Sequence, residues 1–226
     1  MKIIIFEPHP DDLLFGPGPI LLNWINEGHE IHVITITDGR ACYRGDKDAY
    51  APEVANITED DVAKMRLNEA KKAIKFLGLP SENLHLLKFP DAEAEKYIRE
   101  AVEKVKPLLM NVDRIVLPSN NNKHPDHQAT YNIVILTAKE LKLQDVEFFV
   151  YFIPAYGKFK EDSKDKQIEI HIDDDKKKKL FKWLEIYQSQ KKSKFTWKMY
   201  NRFIKVLKKM TYGIFSYEDI GKYYNF

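Results

Sequence analysis

The chain of 226 residues is 44% hydrophobic, 31% charged and 12% aromatic, enough apolar material for one ordinary α/β domain and too much for a disordered or fibrous chain. Its 36 basic and 34 acidic side chains leave a formal charge of +2, so no global field recruits nucleic acid or an anionic membrane surface. A single cysteine, Cys42, excludes an internal disulfide and a closed thiolate zinc site, and the first apolar run is far short of a signal h-region or a span; the expectation is a reducing, cytoplasmic setting.

In chain order, Ile3 to Phe6 reads as a first strand, Ile20 to Asn26 as a helix stopped by Gly28, and Glu30 to Thr37 as a second strand. Thr37 to Thr58, broken by Gly39, Gly45 and Pro52, reads as a long loop at a strand end, where open α/β sheets place their ligands. Thr58-x-x-Asp61 resembles a capping box opening a helix through Leu77, with Gly78 as its stop and a buried stripe of Val62, Met65, Glu69 or Ala70, Ala73, Ile74 and Leu77. Asn83 to Phe89 is the third strand, Ala92 to Met110 a helix, Arg114 to Leu117 the fourth strand, Gln128 to Leu141 a helix and Val146 to Ile153 a further strand. Gln167 to Ile172 alternates as an edge strand does, and Asp173 to Asp175 open a helix through Tyr187 with acid at its positive end.

This alternation predicts an α/β class, a Rossmann-like, mostly parallel sheet flanked by helices in a single domain over residues 1–226. Residues 195–226 are rich in lysine and aromatics (Phe195, Trp197, Tyr200, Phe203 and onward to Tyr223, Tyr224 and Phe226) and read as an extension packed on the body or on a partner subunit. Left wet, that area would form an oversized apolar patch, so a homo-oligomer is the matching expectation.

Two segments share one peculiarity. Pro8-His9-Pro10-Asp11-Asp12 follows the first strand and His124-Pro125-Asp126-His127 follows the fourth, so three of the seven histidines sit with three aspartates at strand ends. Imidazole and carboxylate suit a divalent zinc ion, and three protein ligands with an open fourth position make a catalytic site. The plainer alternative is that Asp11 or Asp12 and Asp126 are helix N-caps and the prolines ordinary helix starts.

The two windows resemble the paired signature of the PIG-L/LmbE-like zinc deacetylases. Asp38-Gly39, Arg66-x-x-Glu69 with Leu77-Gly78, and Leu184-x-x-Tyr187-x-Ser189-Gln190 are similar to further motifs of that family, so the likeness runs over residues 1–190. It implies one zinc ion per chain on His9, Asp12 and His127, with Asp11 as general base and His124, as a cation oriented by Asp126, stabilising developing charge. It also implies that Arg66 holds a substrate hydroxyl, carboxylate or phosphate; the alternative is an exposed helix cation paired with Glu69. Asp38 and Arg40, with Arg44 in the same loop, are the further substrate-binding candidates. The implied reaction is hydrolysis of the N-acetyl amide of a small amino sugar or an N-acetylglucosamine-containing glycoconjugate; a non-catalytic sugar-binding module and a zinc amidase of a thiol conjugate are the alternatives.

Leu13 to Pro19 departs from the acidic residue and Gly-Gly common in that family, which bears on the pocket floor rather than on the ligands. Gly16 and Gly18 do not make a dinucleotide fingerprint, because Leu21 stands where its third glycine is required. Lys176 to Lys179 follow an acidic run and read as a solvated helix face, Cys42 as an incidental loop thiol, and His29, His32, His85 and His171 as satisfied surface or core residues. Neither a nucleic-acid partner nor a membrane span is expected.

Overall fold

An apolar run without polar alternation must be covered on both faces, and the first such run forms the middle of the sheet. The computed structural model describes residues 1–45, 49–153, 159 and 165–221. Its elements are β1 (Lys2–Glu7), α1 (Asp12–Phe15), α2 (Gly18–Asn26), β2 (Glu30–Thr37), α3 (Glu59–Leu77), β3 (Leu84–Phe89), α4 (Ile98–Val105), β4 (Arg114–Pro118) and α5 (Pro125–Leu141). They continue with β5 (Glu147–Tyr151), β6 (Gln167–His171), α6 (Asp174–Leu184), α7 (Gln188–Lys191), α8 (Lys194–Val206) and β7 (Lys209–Ser216).

One seven-stranded sheet runs in the order β3-β2-β1-β4-β5-β7-β6. The first five strands of that order pair in parallel, whereas β7 pairs antiparallel with both β5 and β6. The chain winds outward from β1 in opposite directions through β2 and through β4, so the switch point of the topology lies beyond the carboxyl ends of β1 and β4. Alternate residues of β1 feed two cores: Ile3 and Ile5 pack with Leu21, Ile74, Trp183 and Tyr212 on one face, Ile4 and Phe6 with Val102, Val134 and Ile115 on the other.

The expected α/β architecture is present, with informative differences. The predicted helix Ala92 to Met110 is α4 flanked by two 3-10 turns, Ala94–Tyr97 and Lys106–Leu109; Pro107, lacking an N–H, sits in the second. α5 starts at Pro125, three residues before the predicted boundary, because a proline in the first turn sacrifices no hydrogen bond. The helix expected to run to Tyr187 stops at Leu184. Of the predicted extension, Lys209–Ser216 is an interior strand; Tyr223, Tyr224 and Phe226 lie outside the described residues. Among the described residues no helix is long and apolar enough to cross a membrane.

Candidate metal centre and its cleft

The turn after β1 is closed by its own residues: the Asp12 N–H donates to the His9 carbonyl (3.1 Å), and the His9 N–H donates back to Asp12 Oδ2 (3.0 Å). Pro8 is anchored from β2, its carbonyl accepting both the Thr37 N–H and hydroxyl. Asp11 occupies the N-cap position of α1 but makes no side-chain cap, and the N-cap of α5 is His124, whose Nδ1 accepts the Asp126 N–H (3.3 Å). The capping alternative therefore accounts for neither Asp11 nor Asp126.

His9 Nδ1 and His127 Nε2 lie 3.0 and 3.2 Å from Asp12 Oδ2, and one donor atom from each of the three residues falls within 4.8 Å of the others. Tetrahedral ligands held at about 2.0–2.2 Å from zinc are separated by about 3.3 Å, so the arrangement fits such an ion. All three residues are buried. The far nitrogen of His9, Nε2, meets Asp126 Oδ2 at 3.1 Å and Asp91 Oδ1 at 3.2 Å, the outer carboxylate contact that orients a ligating imidazole. His127 Nδ1 contacts the Asn122 amide at 2.9 Å.

Charge in this cluster follows from its acids. Burial opposes a charged His9, but Asp91, Asp12 and Asp126 outweigh it and push its pKa well above the ordinary value, so the field there favours positive charge, whether proton or metal ion. Asp12, despite burial, is driven well below the carboxylate range by His127 and His9, and Asp91, despite burial, by His9 and Arg66. His124 differs: burial, then His9 and His127, bring it down to about 4, so its surroundings disfavour a charged ring. The Asp126 carboxylate accepts His9 Nε2 and the backbone N–H groups of Ala92 (2.7 Å) and Ala94 (3.0 Å), and the Asp126 N–H donates to His124 Nδ1.

α3 carries Arg66 into the site. It is 5% exposed, its guanidinium donates to Asp11 Oδ1 and to the Gly39 carbonyl (3.3 Å), and Tyr200 Oη donates to Asp11 Oδ2 (3.2 Å). The exposed-cation alternative for Arg66 fails, since Glu69 accepts instead from the Ser189 N–H (2.7 Å) and hydroxyl (2.6 Å). Gly39 is required where it stands: its φ is 72°, and an added Cβ would lie 2.7 Å from Arg66 Nη1.

Asp38 and Arg40 are not brought into this cleft. Asp38 is 2% exposed and clasps the Arg40 guanidinium at 2.9 and 2.7 Å, while Arg40 also pairs with Asp60 and faces a separate cavity with Tyr43 and Tyr50. The cleft of ≈ 400 Å³ is walled by His9, Asp11, Asp12, Arg66 and His124, by Gln190 of the Ser189-Gln190 motif, and by Asp91, Cys42 and Tyr200, whose part was not legible in the sequence. Asp91 alone carried a signal, as an acid just beyond β3. It is followed by Ala92 in the left-handed region (φ 68°), a conformation held by the Ala92 N–H bond to Asp126.

Sheet, switch point and donor set together define an α/β protein with a His-Asp-His centre suited to a divalent ion. The chain belongs to the PIG-L family, described as GlcNAc-PI de-N-acetylase, whose model matches residues 4–138. It is 28% identical over 133 residues to a diacetylchitobiose deacetylase of Thermococcus kodakarensis, a match covering 56% of this chain and 45% of that relative's length. In fold it is similar to the N,N'-diacetylchitobiose deacetylase of Pyrococcus horikoshii (TM-score 0.72, 17% identity, 97% of this chain and 85% of that one). It is likewise similar to the zinc-inhibited form of the teicoplanin deacetylase Orf2 (TM-score 0.68, 14% identity, 97% and 100%).

Proposed function

We propose that this chain is a zinc-dependent N-deacetylase that hydrolyses the acetamide of a small amino sugar or an N-acetylglucosamine-containing glycoconjugate, holding one ion on His9, Asp12 and His127. The observation that carries the proposal is the convergence of those three donors, within 4.8 Å, beside a cleft-facing carboxylate that is not one of them. The names of the family and of the Thermococcus relative support the amide-hydrolase reading. A free Cys42 is in keeping with a reducing, cytoplasmic setting.

When bound, zinc supplies Lewis acidity, lowering the pKa of water and polarising an acyl oxygen. Asp11, steadied by Arg66 on one oxygen and Tyr200 on the other, takes the proton of the attacking water and returns it to the departing nitrogen. His124 has its Nδ1 committed to the Asp126 N–H, which leaves the proton on Nε2; the neutral ring donates that proton's hydrogen bond to the oxyanion. Arg66, bonded to Asp11 and Gly39, positions the base and presents its remaining donors to substrate.

Metal analysis of protein purified without added metal, followed by acetate release from a panel of N-acetyl amino sugars, tests this reading. The expected result is about one zinc per chain and turnover that a chelator stops and zinc restores. Fully metallated protein that cleaves no member of a broad panel refutes it.

A further inference from the structure

Beyond Tyr200 the cleft wall becomes apolar. A second cavity of ≈ 280 Å³ is lined, among the described residues, by Phe15, Ile153, Met199, Tyr200, Phe203 and Val206, with Arg202 beside them. Met199 and Tyr200 also line the catalytic cleft, so the two cavities share a wall. The Tyr200 ring lies with its centroid 3.9 Å from that of Phe15, and Phe203 follows at 6.1 Å from Phe15, making an aromatic floor from α1 and α8. Val206 keeps 62% of its surface in solvent at the rim of this cavity. An apolar cavity of about 150 Å³ accommodates a benzene ring, so this one has room for a short alkyl chain or an aryl group.

We infer that this groove binds an apolar aglycone, an alkyl or aryl group on the substrate's sugar; the inference deepens the deacetylase reading and rests on it for direction. Asp11 returns a proton to the departing nitrogen, so the nitrogen and the sugar that carries it lie on the Asp11 side of the reacting amide, with the acetyl methyl on the other. Tyr200 Oη is bonded to Asp11 Oδ2, and its ring is the first surface of the groove. A substituent leaving the sugar in that direction passes from a polar cleft onto carbon. The segment Leu13 to Pro19, which departs from the family's acidic and Gly-Gly pattern, contributes Phe15 to the floor, and α8 lies wholly beyond the residues the family model matches. Most of the groove is therefore supplied by α8, with Phe15 added from the short helix that begins at Asp12.

The test compares methyl, butyl and hexyl β-glycosides of N-acetylglucosamine, with the N-hexanoyl methyl glycoside as a control for the opposite direction. Expected is a rise in kcat/KM of about two- to fourfold per added methylene of the glycoside, and a hexyl-to-methyl ratio that collapses toward one in Phe203→Ser and Val206→Asp, each ratio taken within one variant. Turnover of the methyl glycoside with no gain from hexyl overturns the groove and leaves the deacetylase standing. A gain confined to the N-hexanoyl compound overturns the direction assigned. A dimer in sedimentation that Val206→Asp dissociates, without chain-length dependence, assigns the patch to a second copy and likewise overturns it. If no glycoside is cleaved, the deacetylase reading falls, and calorimetry with the same hexyl and methyl glycosides decides the groove alone: tighter hexyl binding upholds it and equal binding refutes it.

Discussion

Asp11 and Arg66 form a buried pair in which each partner's removal has a different price. Asp11→Asn keeps the shape of the turn and leaves His9, Asp12 and His127 in place, so turnover is expected to fall by about 10²- to 10⁴-fold with zinc content unchanged, read by steady-state kinetics beside elemental analysis. Arg66→Met strands the Asp11 carboxylate in a closed site; a loss of about 3–5 kcal/mol is expected in urea denaturation, because an uncompensated buried charge remains. The meeting of His9, Asp12 and His127 was legible in the sequence because they stand in two windows of five and four residues, each at a strand end. Asp91 and Tyr200 were not, because each is alone in its segment and is delivered by a different element, whereas Gln190 stood in the Ser189-Gln190 motif. Asp38 and Arg40 stand in a recognisable motif, yet satisfy one another; residue type signalled the place but not the partner.

Among the elements, α7 shows how a four-residue helix is held. Glu69 on α3 accepts two hydrogen bonds from Ser189, and the adjacent Gln190 is thereby set at the cleft wall. Ser189→Ala leaves one Glu69 oxygen short of its donor, and destabilisation of about 1.5–3 kcal/mol is expected by the same denaturation assay. Elsewhere β2 and β3 bring His32 Nδ1 within 3.2 Å of His85 Nε2. Burial, then His32 and Lys2, depress the pKa of His85. The unfolded chain therefore binds the proton more readily, so stability is full above about pH 6.5 and declines as pH falls through that value. His85→Gln is expected to flatten the stability profile between about pH 7 and 5, measured by melting temperature across that range. The bounds of β2 and α3 were legible because local signals agree: Thr58 Oγ1 accepts the Asp61 N–H and Gly78 takes φ 75°. β7 was not, since Gly213 interrupts its pattern and its partners lie some sixty residues upstream on β5 and forty on β6.

At the scale of the whole molecule, the centre joins pieces from β1, β3, β4 and the turns that follow them, so an ion that binds it ties both sides of the switch point together. A ligand that binds only the folded chain stabilises it by about 2.7 kcal/mol at 100 times its dissociation constant. For a domain of this size, zinc added to metal-free protein is accordingly expected to raise Tm by about 5–11 °C, and His127→Ala to abolish most of that rise in differential scanning calorimetry. The alternation of strands and helices was enough to anticipate the parallel part of the sheet, because each crossover places its strand beside an earlier one. The antiparallel part needed contacts no local pattern encodes.

That part has a consequence for biosynthesis. Among the described residues β6 hydrogen-bonds to β7 and to no other strand, and β7 is made after it, so β6 lacks that partner while it leaves the ribosome. The five parallel strands are all complete by Tyr151 and can assemble as translation proceeds, whereas β6 waits for Ser216. A stalled or clipped chain that ends before β7 would thus display an open flank along β5, a template for joining other chains edge to edge.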